Sequence, residues 1–177
     1  MECYTVRKTV KSADLTSKQK HIWKIYRNYS ITGYEIKNGT KENMKYQIEH
    51  IGFSVDAPIE MAKWYQDILG FNIKLSLGDN QHGVAFIEDE SCKLTLEVFK
   101  IPETTPLKNH LEHHLQFHIA FECDDPDLAA SELVKHGATF IENCPRKIEG
   151  DYLVVLNDPW GNCIQFVKRK EGRFGTS

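Results

Sequence analysis

Phe117-His118-Ile119-Ala120-Phe121-Glu122-Cys123-Asp124-Asp125-Pro126 reads as a strand running into a helix start, and it is the second occurrence of that pattern in the chain. An offset of 68 positions lays His118 on His50, Ile119 on Ile51, Phe121 on Phe53, Asp124 on Asp56 and Pro126 on Pro58. The same offset lays Ile164 on Leu96, Gln165 on Glu97 and Phe166 on Val98. Two halves of one fold are present.

Each half carries its own signals. In Ile48 to Val55 the apolar Ile51, Phe53 and Val55 alternate with His50, Gly52 and Ser54, the period of a strand with one buried face. Asp56-Ala57-Pro58 opens a helix, with Pro58 in the first turn where a missing N–H costs nothing. Met61, Trp64, Tyr65, Ile68 and Leu69 then mark one helical face, and Gly70 marks its stop. Strands are expected over Ile73 to Leu77, Val84 to Glu88 and Lys93 to Phe99. The second half repeats the order. Its strand is Phe117 to Cys123, and its helix runs from Pro126 to about His136 with Leu128, Ala129, Leu133 and Val134 on one side and Gly137 as the stop. Strands at Thr139 to Glu142, Leu153 to Asn157 and Cys163 to Lys168 complete it, the last preceded by the turn Asp158-Pro159-Trp160-Gly161-Asn162. The reading is α+β, two βαβββ modules.

The organisation expected is an N-terminal extension over 1–43 and a domain over 44–170, closed by a tail over 171–177. Module one takes 46–100, a linker 101–115 and module two 116–169. The formal net charge of −3 over 177 residues gives no reason to expect nucleic acid as a partner. The extension carries nine Lys and Arg against four Asp and Glu, a balance of +5 that leaves −8 for the rest. Leu15, Ile22, Trp23, Ile25, Tyr26 and Tyr29 predict one amphipathic helix in it, and Tyr29 to Lys37 an edge strand before the Asn38-Gly39 turn. With no apolar run suited to a signal peptide or membrane span, a cytoplasmic protein with no membrane partner is expected. The five cysteines are odd in number and scattered, without a CxxC pair, and read as reduced, mostly buried small residues.

Four stretches carry a resemblance: Glu49-His50-Ile51-Gly52-Phe53, Trp64-Tyr65-Gln66-Asp67-Ile68-Leu69-Gly70-Phe71, Phe117-His118-Ile119-Ala120-Phe121, and Asn157-Asp158-Pro159-Trp160-Gly161-Asn162-Cys163-Ile164-Gln165-Phe166. With them, residues 46 to 169 resemble the vicinal oxygen chelate superfamily of glyoxalase I, methylmalonyl-CoA epimerase, extradiol dioxygenases, and fosfomycin and bleomycin resistance proteins. The resemblance implies a glyoxalase-like fold whose two modules form a curved mixed-sheet cleft, and frequently a homodimer. The N-terminal helix is then a candidate dimer brace.

The alternation places His50, Glu97, His118 and Gln165 on the faces turned away from the helices. The resemblance implies that these four converge on a divalent metal, with zinc, nickel, manganese, iron or cobalt all compatible with two imidazoles, a carboxylate and an amide oxygen. Glyoxalase I enzymes usually carry glutamate where this chain has Gln165, and an amide cannot take a proton. Glu97 is therefore the candidate catalytic base, placed in the other half of a pseudo-symmetric site. The activity implied is a lyase or isomerase step on a small oxygen-chelating substrate, by proton transfer through an enediolate-like intermediate.

Competing readings are an epimerase, an extradiol-type dioxygenase using His50, His118 and Glu97, a fosfomycin-type thiol transferase, and a bleomycin-resistance-like binding protein, metal-free or metal-assisted. Gln165 counts against the dioxygenase and the transferase, which expect a carboxylate there, and the retained ligand set counts against the binder. Substrate contacts are expected from the turn Gly78 to Gly83 and from Arg146, Lys147 and Tyr152, which lie where relatives cover their clefts. His110 and His114 in the linker are four apart, as on one helical face, but lack the order of a zinc protease motif and read as an exposed turn or cleft border.

Overall fold

In a computed structural model of the protein, residues 47–145 and 150–170 are described. The predicted helix and edge strand of the extension, the loop residues Arg146 and Lys147, and the tail 171–177 lie outside them. The described residues from Glu49 onward belong to one compact unit.

The first module opens with β1 (His50–Ser54) and continues with α1 (Pro58–Leu69), β2 (Asn72–Gly78), β3 (Gly83–Glu88) and β4 (Thr95–Lys100). Its sheet has the order β1-β4-β3-β2, with β1 parallel to β4 and the other neighbours antiparallel. One face buries Phe53, Val55, Ala85, Ile87, Leu96 and Val98 against Met61, Ala62 and Tyr65 of α1. Each large side chain removed from water there contributes about 2 kcal/mol. Gly70 ends the helix at φ 73°, the left-handed conformation its position requires.

The start of α1 depends on a residue distant in sequence. Ala57 stands at the N-cap and has no side chain that can accept a hydrogen bond. Asn80, in the β2–β3 turn, supplies the missing acceptor, its Oδ1 receiving the N–H groups of Ile59 and Glu60 at 3.1 Å each. Its Nδ2 donates to Glu60 Oε1 at 2.6 Å. Asn80, at the centre of the Gly78 to Gly83 turn, is thus committed to the helix end.

The second module repeats the order as β5 (Ile119–Glu122), α2 (Pro126–Lys135), β6 (Thr139–Pro145), β7 (Tyr152–Asn157) and β8 (Cys163–Lys168). Its sheet order is β5-β8-β7-β6, again with the first and last strands parallel. Asp125 caps α2 through Oδ1, which accepts from Leu128 N at 3.0 Å. The face that α2 buries differs from the expected one. Ala130 and Leu133 are buried, while Leu128 and Val134 are 65% and 46% exposed. At 3.6 residues per turn Leu128 lies about 140° round the helix from Leu133, so the two cannot share one contact line.

The strand ends also shift. β4 starts at Thr95, leaving Lys93 and Leu94 outside it and exposed, and β6 runs on to Pro145 past the expected end at Glu142. The linker forms two separate 3₁₀ turns, Leu107–His110 and His114–Gln116, so His110 and His114 do not share a helix face. Cys163 is buried and Cys123 partly so, while Cys92 is exposed at φ 50° in the β3–β4 turn.

The turn before β8 joins the modules. Asp158 Oδ1 accepts from Trp160 N at 2.9 Å and Asn162 N at 2.8 Å, and Oδ2 accepts from Asn162 Nδ2 at 2.8 Å and from the hydroxyl of Tyr65 in α1 at 3.2 Å. Trp64 Nε1 donates to the carbonyl of His136 at 2.8 Å. Phe71 packs edge-on to Phe121, and Phe53 lies against Phe117. The two cores are therefore continuous through α1 and β5. Among the described residues no helix is long and apolar enough to cross a membrane.

Candidate functional site

The sheet face of module one turned away from α1 carries His50, Gly52 and Ser54 on β1, Thr95, Glu97 and Phe99 on β4, and Val84, Phe86 and Glu88 on β3, as the register requires. His50 and Glu97 meet there, Nε2 to Oε2 at 3.3 Å. Phe86 sets its ring edge-on to the imidazole, with centroids 5.8 Å apart. Glu97 reaches His50 because nothing stands between them. The register places Gly52 opposite Glu97, and a Cβ on Gly52 would lie 2.7 Å from Glu97 Oε2. That glycine, midway between His50 and Ser54, was legible as part of the strand but not as room for a carboxylate.

His50 lies between two acceptors. Its Nδ1 bonds Glu49, which holds the ring proton on that nitrogen. In the neutral imidazole Nε2 is then a bare lone pair facing the Glu97 carboxylate. Two acceptors 3.3 Å apart require positive charge between them, either a proton or a cation. Accordingly the hydrogen bond to Glu49, aided by the negative charges of Glu97 and Glu49, outweighs desolvation and raises the His50 pKa above its ordinary value. A carboxylate on Nδ1 is also the usual outer partner of a metal-bound histidine, and a separation of 3.3 Å suits two ligands of one small ion.

The repeat-related pair is built differently. His118 is exposed, and its Nδ1 lies 3.3 Å from the carbonyl of Leu115. A carbonyl only accepts, so this contact places a proton on Nδ1 and, in the neutral tautomer, leaves the lone pair on Nε2. Gln165 is only 4% exposed, in register with Ala120 and Val155 on a face where Leu153, Val155, Cys163 and Val167 form a buried apolar cluster. Among the described residues no three His, Cys, Asp or Glu side chains form a metal-sized group. The residues present fit a cation at His50 and Glu97, and His118 does not complete a group of three with that pair.

Tyr152 lies on the α2 side of its sheet, its hydroxyl donating to Asp127 Oδ1 at 2.7 Å and accepting from Asn143 Nδ2 at 3.4 Å. It ties β7 to the first turn of α2 and is not among the groups brought to His50. Burial pushes the Cys123 thiol up and the Cys163 thiol up to about 11.

A second feature adjoins the pair. A concavity of about 550 Å³ is bounded by Gly52 and Ser54 of β1, Phe99 of β4, Glu103, Thr104, Thr105, Leu107 and His110 of the linker, and Phe117. Of the linker half of this wall only His110 stood out in the sequence, as part of an exposed turn or a cleft border.

A sequence model of the glyoxalase/bleomycin resistance protein/dioxygenase superfamily matches residues 47–166. The chain belongs to that superfamily. Solved structures of the superfamily fold agree. A glyoxalase family protein from Bacillus cereus aligns with a TM-score of 0.57 at 17% identity over 73% of this chain and 98% of that one. The lactoylglutathione lyase of Agrobacterium tumefaciens aligns at 0.53 and 20% over 74% and 99%, and the fosfomycin resistance protein FosX of Listeria monocytogenes at 0.54 and 16% over 72% and 96%. No curated protein sequence matches the chain. At these identities the likeness fixes the glyoxalase-like arrangement of paired βαβββ modules and leaves the chemistry to the residues of this chain.

Proposed function

We propose that this superfamily member is a lyase or isomerase that moves a proton between neighbouring carbons of a small substrate with adjacent oxygens, using Glu97 as the base and a divalent cation held by His50 and Glu97. The observation that carries the reading is the His50–Glu97 pair, two acceptors at 3.3 Å on an open sheet face. His118 and Gln165 are proposed as the further ligands of the set, brought to the pair across the two subunits of a homodimer. A bound zinc, nickel, manganese, iron or cobalt ion supplies Lewis acidity that polarises the substrate oxygens.

The chain's own groups do the rest. The Glu97 carboxylate takes the proton from the carbon beside the polarised carbonyl and returns it to the neighbouring carbon. Return to the same carbon would make the reaction an epimerisation. Glu49 keeps His50 in the tautomer that leaves Nε2 facing the site. Phe86 closes the site on the β3 side. A homodimer working in the cytoplasm is proposed with this reading, on the superfamily resemblance.

The test is elemental analysis of protein purified without a metal affinity column, beside the double variant His50→Ala and His118→Ala. Near-stoichiometric metal lost in the variant supports the site and justifies assays with methylglyoxal–thiol adducts, acyl-CoA epimers and catechols. Protein that stays metal-free when divalent ions are added sinks the reading and leaves a ligand-sequestering protein in its place.

A further inference from the structure

The linker turn His114–Gln116 is capped by a histidine, and a histidine can cap only while it is neutral. His113 Nδ1 accepts from Leu115 N at 3.2 Å. A backbone N–H only donates, so Nδ1 must present a bare lone pair there, and in the neutral ring the proton sits on Nε2. The usual capping residues, Ser, Thr, Asp and Asn, keep an acceptor over the whole neutral and mildly acidic range. An imidazole that takes a second proton has none, because both nitrogens then donate. Gln116 closes the turn from the other end, its Oε1 accepting from His113 N at 3.0 Å and Glu112 N at 2.6 Å. Of these two capping side chains, only the histidine changes character with pH.

The neighbouring groups fix where protons go. His113 and His114 stack with ring centroids 4.2 Å apart and 27° between their planes, so two imidazolium charges in this arrangement repel. Glu142 of β6 lies 3.2 Å from His114 Nε2 through Oε1 and gives a charged His114 its partner. Among the described residues Glu142 is the carboxylate in contact with the stack, and Glu112, next in the chain, meets the turn through its N–H. The first proton therefore belongs to His114, and the second, on His113, meets both a cation and the Leu115 N–H. The turn reaches the candidate site through Leu115, whose carbonyl accepts from His118 Nδ1 at 3.3 Å. One residue is thus held by His113 at its N–H and orients His118 with its C=O.

We infer that His113 is a pH-sensitive positioning residue for His118, acting through Leu115. Neutral, it caps the turn and fixes Leu115 between the two rings. Protonated, it repels the Leu115 N–H and the His114 ring, the turn opens, and His118 loses the carbonyl that orients it. The inference rests on the proposed function only for what His118 does, because the turn itself is built without a metal.

The experiment is an NMR titration of the full chain in excess chelator, between about pH 8 and pH 5, the span over which histidine changes charge. It follows the Leu115 amide and the ring protons of His113 and His118. As His113 titrates, the Leu115 amide proton is expected to move upfield and its exchange protection to fall by about fivefold, the usual weight of a helix cap. The His118 ring signals should carry a second inflection at the His113 midpoint. His113→Asn keeps an acceptor at the same place on the side chain and is expected to hold Leu115 unchanged over the whole range, with the second inflection gone. Glu142→Gln removes the partner of His114 and should move the opening of the turn to higher pH. A Leu115 amide indifferent to the titration of His113, or one that responds equally in His113→Asn, overturns the inference. Because chelator is present throughout, failure to bind metal with the Leu115 response intact sinks the proposed reaction alone. An indifferent Leu115 in a metal-binding protein sinks the switch alone.

Discussion

Glu97 stands opposite Gly52 in the β1–β4 register, yet its carboxylate is turned to His50, one pleat away, at 3.3 Å. The diagonal reach exists because Gly52 has no side chain. In Gly52→Ala the new Cβ would sit 2.7 Å from Glu97 Oε2, and the carboxylate, at the end of a flexible side chain, would swing aside. The fold should survive, with a stability change within about 1 kcal/mol. Metal affinity should fall by about tenfold, the effect of disturbing a ligand's support. Thermal unfolding and metal titration of the same sample check the two halves of the prediction, and unchanged affinity would show that Gly52 does not set the Glu97 position.

The protonation of His50 sets a pH dependence. Its folded pKa is raised above the ordinary value near 6.5, first by the hydrogen bond to Glu49. In metal-free protein the stability contributed by this group is fully present below the unfolded pKa and is lost as pH rises through the raised folded value. Metal affinity runs the other way, because the cation must displace the proton, so it weakens as pH falls through that same value. Glu49→Gln removes the largest cause and should move both midpoints to lower pH. An NMR titration of the His50 ring protons reads the shift, and a midpoint unmoved in Glu49→Gln would count against this assignment.

Asn80→Ala should destabilise the protein by about 1 kcal/mol, the usual worth of a helix cap. Two N–H groups of the first turn of α1 lose their acceptor, and Ala57 offers no replacement. Chemical denaturation with an unchanged m-value is the expected record. Metal and ligand binding should be unaffected, because Asn80 serves the helix end and not the sheet face that holds His50.

These residues also show how far the sequence could be read. The paired modules and the alternation behind His50 and Glu97 followed from the 68-residue repeat, because period-two burial and the Pro and Gly signals at helix ends are local. The buried side of α2 was misjudged because Leu128 is as apolar as Leu133, and only packing decides which one faces the sheet. Asn80 as a cap and Glu49 as the partner of His50 were not legible. Each owes its role to a contact with a neighbour whose position depends on the tertiary fold or on the orientation of an imidazole ring.

Asp158 offers the sharpest test of how the modules are joined. Burial raises its pKa, and four donors offset part of that cost: Trp160 N and Asn162 N on Oδ1, Asn162 Nδ2 and Tyr65 Oη on Oδ2. Asp158→Asn can keep Oδ1 on the two backbone groups, but its amide nitrogen would then face the Asn162 amide as donor against donor. The Tyr65 hydroxyl can rotate and accept instead, so most of the loss falls at Asn162. The expected cost is about 2 kcal/mol, that of one buried unsatisfied donor. Tyr65→Phe alone should cost about 1 kcal/mol, and in the Asp158→Asn background it should again remove one hydrogen bond, the reversed one. A double-mutant cycle read by denaturation should therefore give a coupling energy near zero. A coupling above about 1 kcal/mol would mean that the tyrosine cannot turn and that the contact between α1 and the turn is made only in its charged form.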